Sequence, residues 1–238
     1  MRADCSIPAE ALWQAHAQAK QELIENVQAL TGVRLGATVC TLGFARRMTA
    51  YKRPDLLFTD IVRLKRIAGR RPLQIVLAGK AHPRDEDGKR TITAIHAHSR
   101  ELAGVIPVVF LPDYDMALAA ALVSGVDVWL NTPLPPWEAS GTSGMKAAFN
   151  GVPHLSVLDG WWSEGWIEGV TGWAIGDGGS DGDDAGSLYD KLERVVLPLY
   201  YEDRVGWLAV MQGAIAKNAS FFNSHRMMRR YASDAYVR

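Results

Sequence analysis

Leu73-Gln74-Ile75-Val76-Leu77-Ala78-Gly79 is the stretch on which the reading of this chain turns. It is short, almost wholly apolar, and closed by Ala-Gly before the first charge at Lys80. A run of this length and composition reads as a strand buried on both faces. Upstream, Thr38 to Leu42 is a second such run, and Pro54 to Ala68 between them has helical spacing, with Pro54 suited to a first turn and Gly69 past the end. Downstream the alternation continues. Lys89 to Leu102 reads as a helix, Ile106 to Leu111 as a strand, Met116 to Val123 as a helix and Val126 to Leu130 as a strand. Ser143 to Phe149 is a further helical turn or more, ended by Asn150-Gly151, and His154 to Leu158 is a fifth strand.

Apolar strands alternating with helices predict a parallel sheet covered on both sides. The expected class is therefore α/β, a doubly wound, Rossmann-like parallel sheet over residues 35–198. Residues 1–34 form a connecting helix, with Leu12, His16, Leu23 and Val27 on one face and Thr31-Gly32 at its end. Residues 199–238 form a C-terminal segment, read as one long helix from Asp203 to Tyr231 that packs on this domain or on a preceding one. The Gly- and Asp-rich stretch 176–186 reads as a solvated loop, because it lacks the ligand order of a calcium loop.

Composition narrows the function. Among 238 residues, 26 Lys and Arg balance 26 Asp and Glu, so the chain has no electrostatic reason to seek nucleic acid or an anionic membrane. No apolar run approaches the roughly 18 residues of a membrane span, and the N-terminus lacks signal-peptide character. Cys5 and Cys40 are isolated, which fits a reducing, cytoplasmic setting. The six histidines show no metal-ligand spacing, so no metal is expected.

In doubly wound sheets, ligands bind beyond the carboxyl ends of the strands, so chemistry is sought in the loops that follow them. Trp137-Glu138-Ala139-Ser140-Gly141-Thr142-Ser143-Gly144-Met145-Lys146 follows a strand and opens a helix. Its small residues let backbone N–H groups approach an anion, and the helix dipole helps. It has neither the Walker A order nor GxGxxG. Lys146 follows the loop among Met145, Ala147, Ala148 and Phe149, a setting that reads as buried. A lysine in an apolar pocket is less basic and forms an imine readily with an aldehyde cofactor. The second segment, Phe44 to Arg53, carries four cations, Arg46, Arg47, Lys52 and Arg53, directly after the first strand. Four cations at the mouth of a sheet can neutralise two phosphate groups.

Arg-Arg-x-x-x-Tyr-Lys-Arg at 46–53, followed by Glu-Ala-Ser-Gly-Thr-Ser-Gly-Met-Lys at 138–146, resembles the α-glucan phosphorylases, most of all their shorter bacterial branch. The resemblance runs from about Leu35 to Asp159 and continues at 199–202 and 220–223. It implies the C-terminal half of a two-domain GT-B glycosyltransferase fold. Pyridoxal 5′-phosphate is the implied cofactor, held as a Schiff base by Lys146. Thr142 and Ser143 would give backbone N–H groups to its 5′-phosphate, with Arg46 and Lys52 as cationic partners and Tyr114 lining the pocket. Animal members usually carry lysine where this chain has Arg46. Arg47 would bind the substrate phosphate, and Lys52 would touch both phosphates. Glu138, Ser140 and Gly141 would hold hydroxyls of the reacting glucosyl unit. The catalytic set implied is Arg47, Lys52 and Lys146. The implied reaction is reversible transfer of a terminal glucosyl unit of an α-1,4-glucan to inorganic phosphate, giving α-glucose 1-phosphate. The missing N-terminal domain is an expected partner, a homo-oligomer is compatible, and the isolated chain is expected to be inactive.

Two other readings compete. Nucleotide-sugar glycosyltransferases of the same fold often carry Glu-x7-Glu, but here the spacing from Glu138 ends on Lys146, which cannot accept hydrogen bonds from ribose. A non-catalytic cofactor-binding or interaction module is the other. Trp161, Trp162 and Trp166 suggest sugar stacking, but are read as core or interface residues.

Overall fold

The computed structural model describes residues 6–176 and 183–236. Six strands, β1 (Cys40–Ala45), β2 (Leu73–Ala78), β3 (Val108–Leu111), β4 (Val128–Asn131), β5 (His154–Val157) and β6 (Gly172–Ile175), form one sheet in the order β3-β2-β1-β4-β5-β6. Every pairing is parallel. Strand order reverses where β1 meets β4, and that switch point opens a crevice at the carboxyl edge. This is the expected doubly wound, Rossmann-like sheet.

Ten α-helices surround the sheet among the described residues: α1 (Ala9–Thr31), α2 (Ile61–Arg70), α3 (Glu86–Leu102), α4 (Met116–Gly125), α5 (Thr142–Phe149), α6 (Trp162–Gly165), α7 (Asp184–Lys191), α8 (Leu197–Glu202), α9 (Arg204–Gly213) and α10 (Ser224–Tyr231). The strands alternate between two cores, as their period of two requires. Leu42, Phe44, Ile75 and Leu77 face one core with Leu64, Ile67, Ile95 and Trp207. Ala45, Val76 and Ala78 face the other, with Leu23, Ile24 and Val27 of α1 and Leu118 and Leu122 of α4. Helix α1 thus belongs to the packed domain, and its expected face of Leu12, His16, Leu23 and Val27 is buried.

Several boundaries differ from the sequence reading. β1 begins at Cys40 and runs past Leu42 to Ala45, because Gly43 leaves room for Val126 to pack on the strand backbone; a Cβ there would lie 2.7 Å from a Val126 methyl. Pro54 does not open α2. A short 3₁₀ turn (Leu56–Phe58) intervenes, and Asp60 caps α2 by accepting from Arg63 N at 2.8 Å. Pro107 cannot donate, and β3 starts after it. Part of the loop read at 176–186 lies outside the described residues, as does Cys5. Its end is helical instead, since Asp183 caps α7, and helical turns then run to Glu202. The tail is not one helix. After α9 and a π-helical continuation to Ala219, the chain breaks, and Asn223 caps α10 by accepting from Arg226 N at 2.9 Å. Helix α9 buries Trp207, Leu208 and Met211 in the domain, whereas α10 buries none of its residues. No described helix is long and apolar enough to cross a membrane.

Candidate active site

β1 ends on Ala45, which puts Arg46 and Arg47 at the carboxyl edge. A 3₁₀ turn (Ala50–Lys52) then brings Lys52 back under the crevice. The loop after β4 holds that turn in place. The buried Thr132 hydroxyl bonds the carbonyls of Lys52 (2.9 Å) and Arg53 (2.8 Å), and Leu134 N–H donates to Tyr51 O at 2.7 Å. Lys52 Nζ lies 4.5 Å from the centroid of the Tyr51 ring. The fourth cation behaves differently. Arg53 turns away and braces the carbonyls of Thr132 and Pro133 and the Asp184 carboxylate.

Between these cations stands Glu138. Its Oε2 lies 2.8 Å from Arg46 Nη2 and 2.5 Å from Lys52 Nζ, and all three side chains are more than nine-tenths buried. The Glu138 backbone is itself anchored. Its N–H donates to Asp159 Oδ2 at 2.8 Å, Gly160 N–H donates to Asp159 Oδ1 at 2.8 Å, and Trp161 N–H donates to Ser140 O at 2.8 Å. Gly160 is required at this crossing: its φ is +55°, and a Cβ would sit 2.6 Å from Ser140 O.

Helix α5 begins directly after this loop. Its N-cap is Gly141, which has left-handed backbone and no side-chain oxygen, so no side chain caps the first turn of Thr142 and Ser143. The Ser143 hydroxyl accepts from Trp129 Nε1 at 3.2 Å, and Gly144 packs on the His154 ring. His154 is buried between Trp161 and Trp162 and next to Asn131. Burial, reinforced by the Arg46 charge, lowers its pKa to about 3, so the ring is neutral at pH 7. Burial also lowers the Arg46 pKa, although Glu138 opposes the shift. Tyr114 is raised, first by burial and against the pull of Arg46.

All ten residues singled out in the sequence meet around one cleft of about 430 Å³. The loop after β1 contributes Arg46, Arg47 and Lys52, and the loop after β3 contributes Tyr114. Glu138, Ser140, Gly141, Thr142, Ser143 and Lys146 come from the loop after β4 and from α5. One expectation fails. Lys146 is exposed, because α5 buries Gly144, Ala147 and Ala148 and turns Lys146 toward the open side of the cleft. Apolar neighbours in sequence lie on other faces of a helix, so flanking residues were a poor guide to burial. A residue of the cleft wall and one that supports the cleft were not assigned to the site from the sequence. Trp137, 66% exposed, lies on the wall, and Asp159 anchors Glu138 from the next loop. The Asp-Gly pair directly after a strand at the same edge was the available signal for the second. Trp161 and Trp162 are buried in a small core with Phe222, while Trp166 is 38% exposed.

The donor set fits a phosphate ester. Arg46 Nε and Nη1 are buried with no hydrogen-bond partner, Lys52 lies alongside, and an uncapped helix N-terminus completes the cradle. A pyridoxal ring needs a lysine within reach of such a cradle, and Lys146 is one turn along the same helix.

A profile of the carbohydrate phosphorylase family matches residues 3–164. The glycogen phosphorylase of Aquifex aeolicus is 46% identical over 97% of this chain and 37% of its own length. The maltodextrin phosphorylase of Thermococcus litoralis is 44% identical over 97% of this chain and 30% of its own length. A glycogen phosphorylase of Mycobacterium tuberculosis is 38% identical over 95% and 30%. The chain therefore spans about a third of the length of these relatives. Sheet, cleft and similarity agree, and the chain belongs to the carbohydrate phosphorylase family.

Proposed function

We propose that this chain is the cofactor- and glucosyl-binding half of an α-1,4-glucan phosphorylase, a cytoplasmic GT-B enzyme that uses pyridoxal 5′-phosphate. The observation that carries this reading is the meeting of Arg46, Arg47 and Lys52 with the uncapped start of α5 and Lys146 in one cleft. Lys146 holds the cofactor covalently. Thr142 and Ser143 N–H groups, with Arg46 and Lys52, grip its 5′-phosphate, and Tyr114 forms the adjacent wall. Arg47, exposed at the cleft mouth, gathers the inorganic phosphate, and Lys52 lies between the two anions. Glu138, Ser140 and Gly141 orient the terminal glucosyl unit through its hydroxyls, and the product is α-glucose 1-phosphate. When bound, the cofactor supplies a phosphate group that titrates near neutrality and so serves in proton transfer. Two phosphates in contact repel strongly, and the cations of this edge supply the opposing charge.

In this reading residues 35–198 carry the site, 1–34 connect to a preceding domain, and 199–238 close the domain or reach the other half. That other half forms the second wall, against which the glucan lies. The test is uptake of pyridoxal 5′-phosphate by the purified chain, followed by absorbance and by borohydride fixation. Saturable uptake at one per chain is the expected result. No uptake, or uptake equal to that of an unrelated lysine-rich protein, would refute the reading.

A further inference from the structure

Glu138 occupies the place where an anion is to bind. Its carboxylate neutralises Arg46 and Lys52 at 2.8 and 2.5 Å, inside a cleft that Arg47, Lys146 and the start of α5 also line. Arg46 still has two buried nitrogens, Nε and Nη1, with no hydrogen-bond partner, so the carboxylate meets only part of the demand of the pair. Asp159 holds the Glu138 backbone by a 2.8 Å hydrogen bond, so the loop stays in place while the longer side chain can turn. We propose that Glu138 is a resident counter-ion which an incoming phosphate displaces from Arg46 and Lys52, and which then turns its carboxylate into the cleft toward the sugar hydroxyls. The inference rests on the glucosyl role proposed above for Glu138 and adds that its carboxylate changes partner when a phosphate binds.

The physical argument is one of competition. A buried cation pair is costly to leave bare, so an anion beside it is favoured in each state. Before loading, that anion is Glu138. A phosphate dianion carries more charge and more acceptor oxygens than one carboxylate, and it also reaches the uncapped N–H groups of α5. It therefore replaces the carboxylate on the cations. The released carboxylate is repelled by the phosphate and reorients. Once turned, it accepts hydrogen bonds from hydroxyl donors, which matches a sugar and not a second phosphate. Removing the Glu138 charge should accordingly strengthen binding of phosphate, contrary to the usual effect of deleting a site residue.

The experiment compares the wild-type chain with Glu138→Gln. Inorganic phosphate is titrated by calorimetry, and pyridoxal 5′-phosphate and pyridoxal, which lacks the phosphate, are titrated by absorbance. Glu138→Gln should bind inorganic phosphate and pyridoxal 5′-phosphate about tenfold more tightly, as expected for removal of one competing close charge, with pyridoxal unchanged. Equal or weaker phosphate binding by the variant overturns the inference. Failure of the wild-type chain to take up pyridoxal 5′-phosphate on Lys146 would instead overturn the functional reading itself. If Glu138→Gln does not fold, a crystal structure of the wild-type chain soaked with phosphate decides the matter. Glu138 Oε2 should then lie beyond ion-pair distance from Lys52 Nζ, and a retained contact overturns the inference.

Discussion

The two ends of the sheet each hold one carboxylate between two basic side chains, and they differ in what is left over. At the amino edge, Asp127 sits just before β4. His16 Nε2 lies 2.9 Å from its Oδ1, and Lys20 Nζ and Thr41 N–H donate to its Oδ2 at 2.6 and 2.7 Å. Lys20 also donates to Val39 O and to the Tyr200 hydroxyl, so its three donors are used. All of this is sealed from water, and His16 Nδ1 is the one orphan atom there among the described residues. At the carboxyl edge, Glu138 bridges two cations, but Arg46 keeps two unpaired donor nitrogens, a helix start is uncapped, and the group opens on a cleft. A charge cluster that serves the fold is satisfied and closed. One that serves a ligand is under-satisfied and open.

The largest effect expected from this contrast is in activity. The amino-edge cluster is complete within this chain, whereas in the proposed function the cleft takes its second wall from another domain. Rate in such a site comes from positioning and electrostatics in a cavity closed to water. The chain alone, given cofactor, phosphate and maltodextrin, should release no measurable glucose 1-phosphate. Turnover near that of a full-length relative would break the contrast.

Stability should separate the two clusters next. Asp127→Ala strands Lys20 and His16 in the core and should cost about 3–5 kcal/mol in chemical denaturation. Glu138→Gln leaves its cations beside an open cleft and should cost about 1–2 kcal/mol, less than removal of a sealed partner. Equal losses would mean that the two clusters do the same work. Burial by itself raises the Asp127 carboxyl, but Lys20 and His16 outweigh it and hold the pKa below its usual value. That contribution is therefore present above the unfolded carboxyl pKa of about 4 and is lost as pH falls further.

A smaller effect comes from His154, which packs beneath α5. Its pKa is about 3 in the folded chain, against about 6.5 unfolded. The unfolded state binds the extra proton, so stability is full above pH 6.5 and falls as pH drops toward 3. Between pH 7 and 5 the wild-type chain should lose about 1–2 kcal/mol relative to His154→Gln. Identical pH profiles would show that His154 is not held neutral.

Much of this molecule was legible in its sequence, for identifiable reasons. Five of the strands are short apolar runs bounded by Gly, Pro or charge, and such runs declare themselves. β6 at Gly172–Ile175 was passed over, since a Gly-Trp-Ala-Ile run has weak strand character. The break at Ser220–Asn223 was also missed, because Asn223 acts as a cap only when its side chain is seen to accept from Arg226 N. In the site, the ordered motifs picked out residues that meet around one cleft, since loops after adjacent parallel strands must share an edge. What motifs could not convey was direction. They did not show that Arg53 turns away, that Lys146 is exposed, or that Asp159 holds Glu138 from the neighbouring loop.

The most direct test of the account is to locate the cofactor on the chain. Pyridoxal 5′-phosphate is added to the wild-type chain, to Lys146→Ala and to Lys80→Ala, the product is fixed with borohydride, and peptides are mapped by mass. The account expects one adduct per chain, on Lys146, retained in Lys80→Ala and abolished in Lys146→Ala. A full-stoichiometry adduct in Lys146→Ala, or one carried mainly by another lysine in the wild-type chain, would contradict it.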